Sequence, residues 1–152
     1  MAATAGTNEV RTERRPLPVA VIGAGPSGLA AMRAVSKRGL DVVGFEAHSD
    51  VGGLWNISNP ASTVYESAHL ISSRTTTVFA EFPMPEGTPD YPGHRHLLDY
   101  FRSYAAAFGL TGRIRFSTRV SSAVPDADGS WSLAWEGPDG PGSGRFSAVV
   151  VA

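Results

Sequence analysis

The sequence predicts an α/β fold in which a parallel sheet is followed by an antiparallel β-meander. Three observations predict it. An apolar run, Val19-Ala-Val-Ile22, enters a glycine-rich turn and then an Ala/Leu-rich segment, the pattern of a strand, a tight turn and a helix. A second apolar run over 42–45 follows that helix. Further along the chain, strand-like segments alternate with turn residues between 114 and 135.

The turn after the first strand carries three glycines with the spacing Gly23-x-Gly25-x-x-Gly28. Gly23 lets the chain turn sharply, Gly25 lets the backbone approach a phosphate, and Gly28 lets the new helix pack closely on the sheet. The free N–H groups and the positive end of the helix dipole then face the two phosphate charges. This pattern predicts a Rossmann-like site for a dinucleotide pyrophosphate.

The context of the turn supports this prediction. Residues 29–38 show helical periodicity with basic residues in the last turn, and Gly39 stands where a C-cap belongs. The second strand ends at Glu46, 18 residues beyond Gly28. A carboxylate there hydrogen-bonds ribose hydroxyls and repels a 2′-phosphate, so the site should take FAD or NAD rather than NADP. The alternative is an ordinary strand–turn–helix followed by an unrelated acid.

Composition excludes several classes of function. The chain has 152 residues and a net charge of −1 without a basic cluster, so its charge gives no reason to expect a nucleic acid or an anionic membrane as partner. The absence of cysteine excludes a disulfide framework, a thiolate nucleophile, Cys-ligated zinc and the redox pair of disulfide reductases. It is compatible with the cytoplasmic location that we expect. No run reaches the ~18 apolar residues of a membrane span.

The expected organisation is a disordered leader over residues 1–17 and one domain over 18–152. Arg14-Arg15 before an apolar stretch is similar to a twin-arginine export signal, but that stretch is the predicted phosphate-binding strand and turn, so export is disfavoured. Residues 56–93 are irregular and proline-rich, with one strand-like patch at 75–79. Long segments of this kind are usually functional, and this one is expected to line a cofactor groove.

The second half predicts a helix and several strands. The helix covers 94–108, with an apolar stripe and Gly109 at its end. The run from Ile114 to Val124 alternates in part, Asp128-Gly129 predicts a hairpin turn, and residues 131–135 alternate again. Residues 137–144 read as a loop, and 146–152 as a buried parallel strand. Because the sequence stops inside that strand, we expect a domain that is incomplete at its C-terminus.

These residues resemble the N-terminal FAD-binding part of flavin-containing monooxygenases and the related Baeyer–Villiger enzymes, from about Pro18 to Ala152. Two of the motifs that carry the resemblance are the glycine turn and the segment Gly52-Gly-Leu-Trp55 after Glu46. The others are 64–67 leading to 72–74, Glu81-Phe-Pro-Met-Pro85, Tyr91-Pro92 before the helix with Tyr100-Phe101 and Tyr104-Ala105, and the final strand 149–152.

The resemblance implies roles for particular residues. It implies that Glu46 holds the adenosine ribose of FAD, and that Ser72 and its neighbours approach the isoalloxazine and the nicotinamide cofactor. The implied pyrophosphate site consists of Gly23, Ala24, Gly25, Pro26, Ser27 and Gly28, and the implied ribityl and flavin contacts are Gly53, Leu54 and Trp55. For Trp55 the alternative is plain core packing.

The implied reaction is the oxygenation of nitrogen, sulfur or ketone substrates through a C4a-peroxyflavin, with FAD reduced by NADPH. The NADPH site would lie mostly outside this chain, so the chain alone is expected to be inactive. The implied partner is a small-molecule substrate, and the oligomeric state is not predicted. Two alternatives remain: another FAD- or NAD-dependent oxidoreductase, such as an amine oxidase or reductase, and a non-catalytic dinucleotide-binding module.

One position departs from the family pattern. Ile71 stands where many members carry an asparagine, whose amide is thought to steady the oxygenated flavin and the nicotinamide. Isoleucine cannot form that hydrogen bond.

No catalytic residue is predicted, and no metal site either, since His94 and His96 are expected to be solvated residues at a helix start.

Overall fold

The structure is a computed structural model that describes residues 16–152. The leader predicted over residues 1–17, with its Arg14-Arg15 pair, therefore lies outside the described residues except for its last two positions. Neither helix of the described part has the length and apolar character that a membrane crossing requires.

A four-stranded parallel sheet forms the centre of the fold, as predicted. Its strands are β1 (Val19–Ile22), β2 (Val42–Phe45), β3 (Ile114–Arg115) and β7 (Ala148–Val151), in the order β3-β2-β1-β7. Because side chains alternate across a strand, Val21 of β1 faces one layer and Ala20 the other. Both faces of the sheet are therefore covered by other elements.

Two helices cover the first face. Helix α1 (Pro26–Lys37) starts earlier than the periodicity predicts because Pro26 suits the first helical position, and it ends before Gly39, which has a φ of 74°. Helix α2 (His94–Ala107) ends before Gly109, whose φ is 62°. Both ends agree with the glycine signals. Leu29 and Met32 of α1 and Leu97 and Phe101 of α2 join one buried cluster with the sheet.

The meander covers the second face with three antiparallel strands: β4 (Arg119–Pro125), β5 (Trp131–Gly137) and β6 (Gly140–Phe146). The single alternating run read over 114–124 is therefore wrong, because it divides between two sheets. Ser117, with a φ of 50°, turns the chain out of the parallel sheet. The N–H groups of Ser117 and Thr118 donate to the carbonyls of His48 and Glu46 at 2.9 and 2.8 Å, which fixes that exit.

The loop predicted over 137–144 is also wrong, since strand β6 occupies most of it. The indole of Trp135 explains why glycines stand in this strand. A Cβ atom added at Gly142 would lie 2.5 Å from Nε1 of Trp135, and one at Gly144 would lie 3.2 Å from its ring. The same indole packs on Phe45 of the parallel sheet, with ring centroids 5.0 Å apart. The glycines make room for a side chain that joins the two sheets.

Gly142→Ala is therefore expected to lower the free energy of unfolding by about 1–3 kcal/mol, the usual cost of overpacking. The indole is held by Phe45 and has little freedom to withdraw. Urea titration followed by tryptophan fluorescence measures the effect. Ser143→Ala, an exposed change in the same strand, is the control. Equal midpoints for the two variants would contradict this account of the strand.

The β4–β5 hairpin forms around Asp128 and Gly129, as predicted. Hydrogen bonds from Ser130 and Arg145 hold the pKa of Asp128 well below its usual value of 3.8. Because the folded-state pKa is depressed, this stabilisation is present above pH 4 or so and is lost as the pH falls below that value toward the folded-state pKa. We expect the urea midpoint of the wild type to fall more between pH 5 and pH 2, roughly, than that of Asp128→Asn, and equal slopes would contradict this.

Two further expectations need correction. The strand-like patch at 75–79 forms turns instead of a strand. At its end the Phe79 N–H donates to the Tyr100 hydroxyl (2.8 Å), which donates to the Phe82 carbonyl (2.5 Å), so a side chain supplies the acceptor for Phe79 that a neighbouring strand would have supplied. The last strand is parallel to β1 as predicted, but it begins at Ala148 rather than Phe146, and Val151 is exposed because β7 is at the edge of the described sheet.

Candidate cofactor site

The turn over residues 23–28, which the sequence predicts to bind phosphate and which we call the phosphate-binding turn, requires glycine at two positions. Gly23 has a φ of 103°, and a Cβ there would lie 2.4 Å from the carbonyl oxygen of Ala152. A Cβ at Gly28 would lie 2.0 Å from the carbonyl oxygen of Gly23. The sharp exit from β1 and the close approach of α1 to the sheet, both predicted from the sequence, account for these two glycines.

The second glycine motif lies directly against this turn. The Gly52 N–H donates to the Ala24 carbonyl at 3.0 Å. Gly53 has a φ of 54°, and a Cβ there would lie 3.0 Å from the Cα of Gly25. Gly25 therefore serves a contact that the sequence did not indicate, since it admits a second backbone segment. The fold brings together two glycine-rich backbones whose contacting residues are 28 positions apart in sequence.

The short 3₁₀ helix Gly53–Trp55 extends from this contact. Leu54 is 56% exposed, whereas Trp55 is half-buried and packs in part on the core cluster beside α2. The core-packing alternative for Trp55 is thus partly satisfied. The rest of the Trp55 side chain is exposed, and its contact with the flavin stays a prediction.

Glu46 lies at the end of β2 beside the phosphate-binding turn and is only 7% exposed. The Ala24 N–H donates to its Oε2 at 2.7 Å, and the His48 N–H donates to its Oε1 at 2.8 Å. A carboxylate offers about four lone-pair sites, so each oxygen can accept another hydrogen bond. The carboxylate is held in place and can still accept from two hydroxyl groups.

These residues fit the adenosine diphosphate half of a dinucleotide. Helix α1 has no side-chain cap and no acidic residue in its first turn, so no side chain of the helix itself occupies the N–H groups of that turn. The buried acid stands beside this helix start, where the ribose of a bound dinucleotide would lie. The pattern predicted from the sequence is therefore assembled in one place.

Ser72 is not part of this assembly. It is exposed in the proline-rich segment, and its hydroxyl group lies 2.7 Å from that of Thr77. No hydrogen bond in the described part of the chain joins Ser72 to the phosphate-binding turn, so its role toward the flavin stays a prediction. Ile71 beside it is 96% exposed, so the apolar side chain that the resemblance matches with the family asparagine lies in solvent.

Sequence reasoning missed three residues near the site and misjudged one. Asp50, Asn56 and Arg102 form a network behind the glycine pair, and only the position of Asp50 just before that pair signalled it. His94, expected to be solvated, is 3% exposed because the segment around Glu66 packs over the start of α2. Within residues 16–152, no cluster of three or more His, Cys, Asp or Glu side chains could hold a metal ion.

The chain is similar to known proteins over nearly its whole length. A family model described as flavin-binding monooxygenase-like matches residues 17–151. Flavin-containing monooxygenase 5 of Cavia porcellus is 38% identical over 122 residues, which make up 78% of this chain and 23% of that protein. Dimethylaniline monooxygenase (N-oxide-forming) 2 of Oryctolagus cuniculus is 37% identical over 141 residues, 88% of this chain and 26% of that protein.

Solved structures of monooxygenases are also similar to this chain. An S-allyl-L-cysteine S-oxygenase from Allium sativum superposes with a TM-score of 0.82 at 28% identity, covering 90% of this chain and 36% of that one. An oxidized steroid monooxygenase bound to NADP gives a TM-score of 0.78 at 31% identity, covering 90% and 26%. The chain spans about a quarter of the length of the curated relatives it matches. With its glycine turn, buried acid and second glycine motif in register, the chain belongs to the flavin-binding monooxygenase-like family.

Proposed function

We propose that this chain is the FAD-binding portion of an NADPH-dependent flavin monooxygenase that oxygenates nitrogen, sulfur or ketone substrates. The observation that carries the proposal is the contact between Glu46 and the phosphate-binding turn. It puts an acid suited to ribose hydroxyls within one hydrogen bond of a turn suited to a diphosphate.

The residues of the chain would divide the binding of FAD among them. The backbone of residues 23–28 and the start of α1 would hold the diphosphate, with the helix dipole favouring its negative charge. Glu46 would accept hydrogen bonds from the ribose hydroxyls. Leu54 and Trp55 offer apolar surface next to the glycine pair, which would exclude water from one side of the flavin. FAD, when bound, supplies the redox chemistry, and the protein orients it.

The finer parts of the proposal draw support from the relatives. One curated relative is called N-oxide-forming, one solved relative is an S-oxygenase, and a cyclohexanone monooxygenase from Rhodococcus sp. Phi1 was solved bound to NADP⁺, with a TM-score of 0.74 at 28% identity. These names cover nitrogen, sulfur and ketone chemistry. They support a reaction class without selecting one substrate, so we propose the class alone.

Ligand competition tests the proposal. Purified protein is titrated with FAD while flavin fluorescence is followed, and NAD⁺ and NADP⁺ are then added as competitors. We expect saturable binding of one FAD per chain. NADP⁺ should compete less well than NAD⁺, because Glu46 repels a 2′-phosphate. Failure of FAD to bind the folded protein would overturn the proposal, and so would preferential binding of NADP⁺ at this site.

A further inference from the structure

The glycine-pair segment, residues 50–56, is supported from behind by helix α2. Leu98 and Arg102 are four residues apart on that helix and therefore lie on the same face, one turn from each other. Leu98 packs on the first glycine of the pair: a Cβ added at Gly52 would lie 2.7 Å from its Cδ1. The helix thus contacts the segment at the first of its two consecutive glycines.

Arg102 supplies the second point of support. Its Nε and Nη2 donate to Oδ2 of Asp50 at 2.9 and 2.6 Å. The other oxygen of Asp50 accepts from the Val51 N–H at 2.8 Å. Asn56, only 2% exposed, donates through Nδ2 to Oδ2 of Asp50 at 3.3 Å and to the Val51 carbonyl at 3.4 Å. The Asp50 carboxylate therefore joins α2 to both ends of the glycine-pair segment.

The segment needs such support because of its own backbone. Gly52 and Gly53 are consecutive residues with φ values of 106° and 54°. Glycine loses more conformational freedom on ordering than any other residue, so two in a row hold one conformation only when neighbouring groups fix them. The conformation in question is the one that puts Gly53 against Gly25 and lets Gly52 donate to Ala24.

We propose that Arg102 is a positioning residue for the dinucleotide: through Asp50 it holds the glycine-pair segment against the phosphate-binding turn, and FAD affinity depends on it. The inference rests on the proposed function, since it assumes that FAD binds at this turn. Arg102 itself has its contacts with Asp50 and Asp99. It acts on the cofactor through the backbone that it fixes.

The exposure of the pair distinguishes positioning from general stabilisation. The side chains of Arg102 and Asp50 are 49% and 30% exposed, and ion pairs of this kind add little to global stability. Loss of Arg102 should therefore loosen the glycine-pair segment while the rest of the fold stays intact. Helix α2 also offers a matched control. Arg95, which precedes Arg102 by seven residues on this helix, forms an exposed ion pair with Glu66.

The test compares Arg102→Gln, Arg102→Lys and Arg95→Gln in an FAD titration and in urea unfolding without FAD. We expect Arg102→Gln to weaken FAD binding about tenfold, a usual size for coupled neighbours. Arg102→Lys should recover part of the loss, because an ammonium group can still donate to Oδ2 of Asp50. Arg95→Gln should bind FAD as the wild type does, and its urea midpoint should match that of Arg102→Gln.

A double-variant cycle gives an independent reading. Asp50→Asn keeps an oxygen for the Val51 N–H but loses the charge that Arg102 needs, so Asp50→Asn/Arg102→Gln should bind FAD no more weakly than the weaker single variant. Additive losses of FAD affinity in the double variant would overturn the inference. So would an Arg102→Gln variant that binds FAD as tightly as the wild type, or one whose loss of affinity is accompanied by a comparable fall in its urea midpoint. If the wild type itself fails to bind FAD, the proposed function falls as well, which distinguishes the two failures.

Discussion

Gly28→Ala is expected to abolish measurable FAD binding and to lower the free energy of unfolding by about 3 kcal/mol, the upper end of overpacking costs. The added Cβ would lie 2.0 Å from the carbonyl oxygen of Gly23 and 2.8 Å from its carbonyl carbon. Both are backbone atoms, and Gly23 is tied to the sheet because its N–H donates to the Phe45 carbonyl at 2.8 Å. Helix α1 must therefore move away from the sheet and take its N-terminal N–H groups with it.

Gly112→Ala is the matched control for this variant. Gly112 lies in the 3₁₀ helix Thr111–Arg113, and a Cβ there would have no atom within 4 Å. We expect its FAD affinity and urea midpoint to equal those of the wild type. FAD binding by Gly28→Ala with wild-type affinity would contradict the role given to the close approach of α1.

The second large effect is expected for Glu46→Gln, which should weaken FAD binding about thirtyfold, or about 2 kcal/mol, the size of a lost charge-assisted hydrogen bond. Both oxygens of Glu46 already accept backbone N–H groups, from Ala24 and His48. An amide must turn its NH₂ group toward one of these donors, so stability falls too, by about 1–3 kcal/mol. Isothermal titration with FAD and urea unfolding measure the two effects separately.

Removal of the charge at Glu46 should also reduce the preference for NAD⁺ over NADP⁺ as competitor, because the repulsion of a 2′-phosphate is gone. Glu136→Gln, an exposed change of the same chemistry on the meander, controls for net charge. The assignment of Glu46 to the ribose is contradicted if Glu46→Gln keeps wild-type FAD affinity or if the two variants behave alike.

The sequence predicted the core of this site because its signals are local. The apolar run of β1, the glycine spacing from Gly23 to Gly28 and the acid after β2 each depend on a few adjacent residues. The ends of both helices were also predicted correctly, from Gly39 and Gly109, whose positive φ values end a helix. The structure confirms that these local signals assemble into one parallel sheet.

The missed features depend on contacts between distant parts of the chain. Strand β6 reads as a loop because glycine and proline dominate it, and only the indole of Trp135 across the sheet explains the glycines. The contact between Arg102 and Asp50 joins residues 52 positions apart, and no local pattern marks it. His94 is buried by a segment 26 residues before it, so its position at a helix start gave the wrong expectation.

A crystal structure of the protein grown with FAD is the most direct measurement of the central claim. We expect the adenosine ribose within hydrogen-bonding distance of the Glu46 carboxylate, at about 2.5–3.0 Å, and the diphosphate at the N–H groups of the first turn of α1. A dinucleotide bound elsewhere on the fold, or a Glu46 side chain that makes no contact with it, would contradict the account.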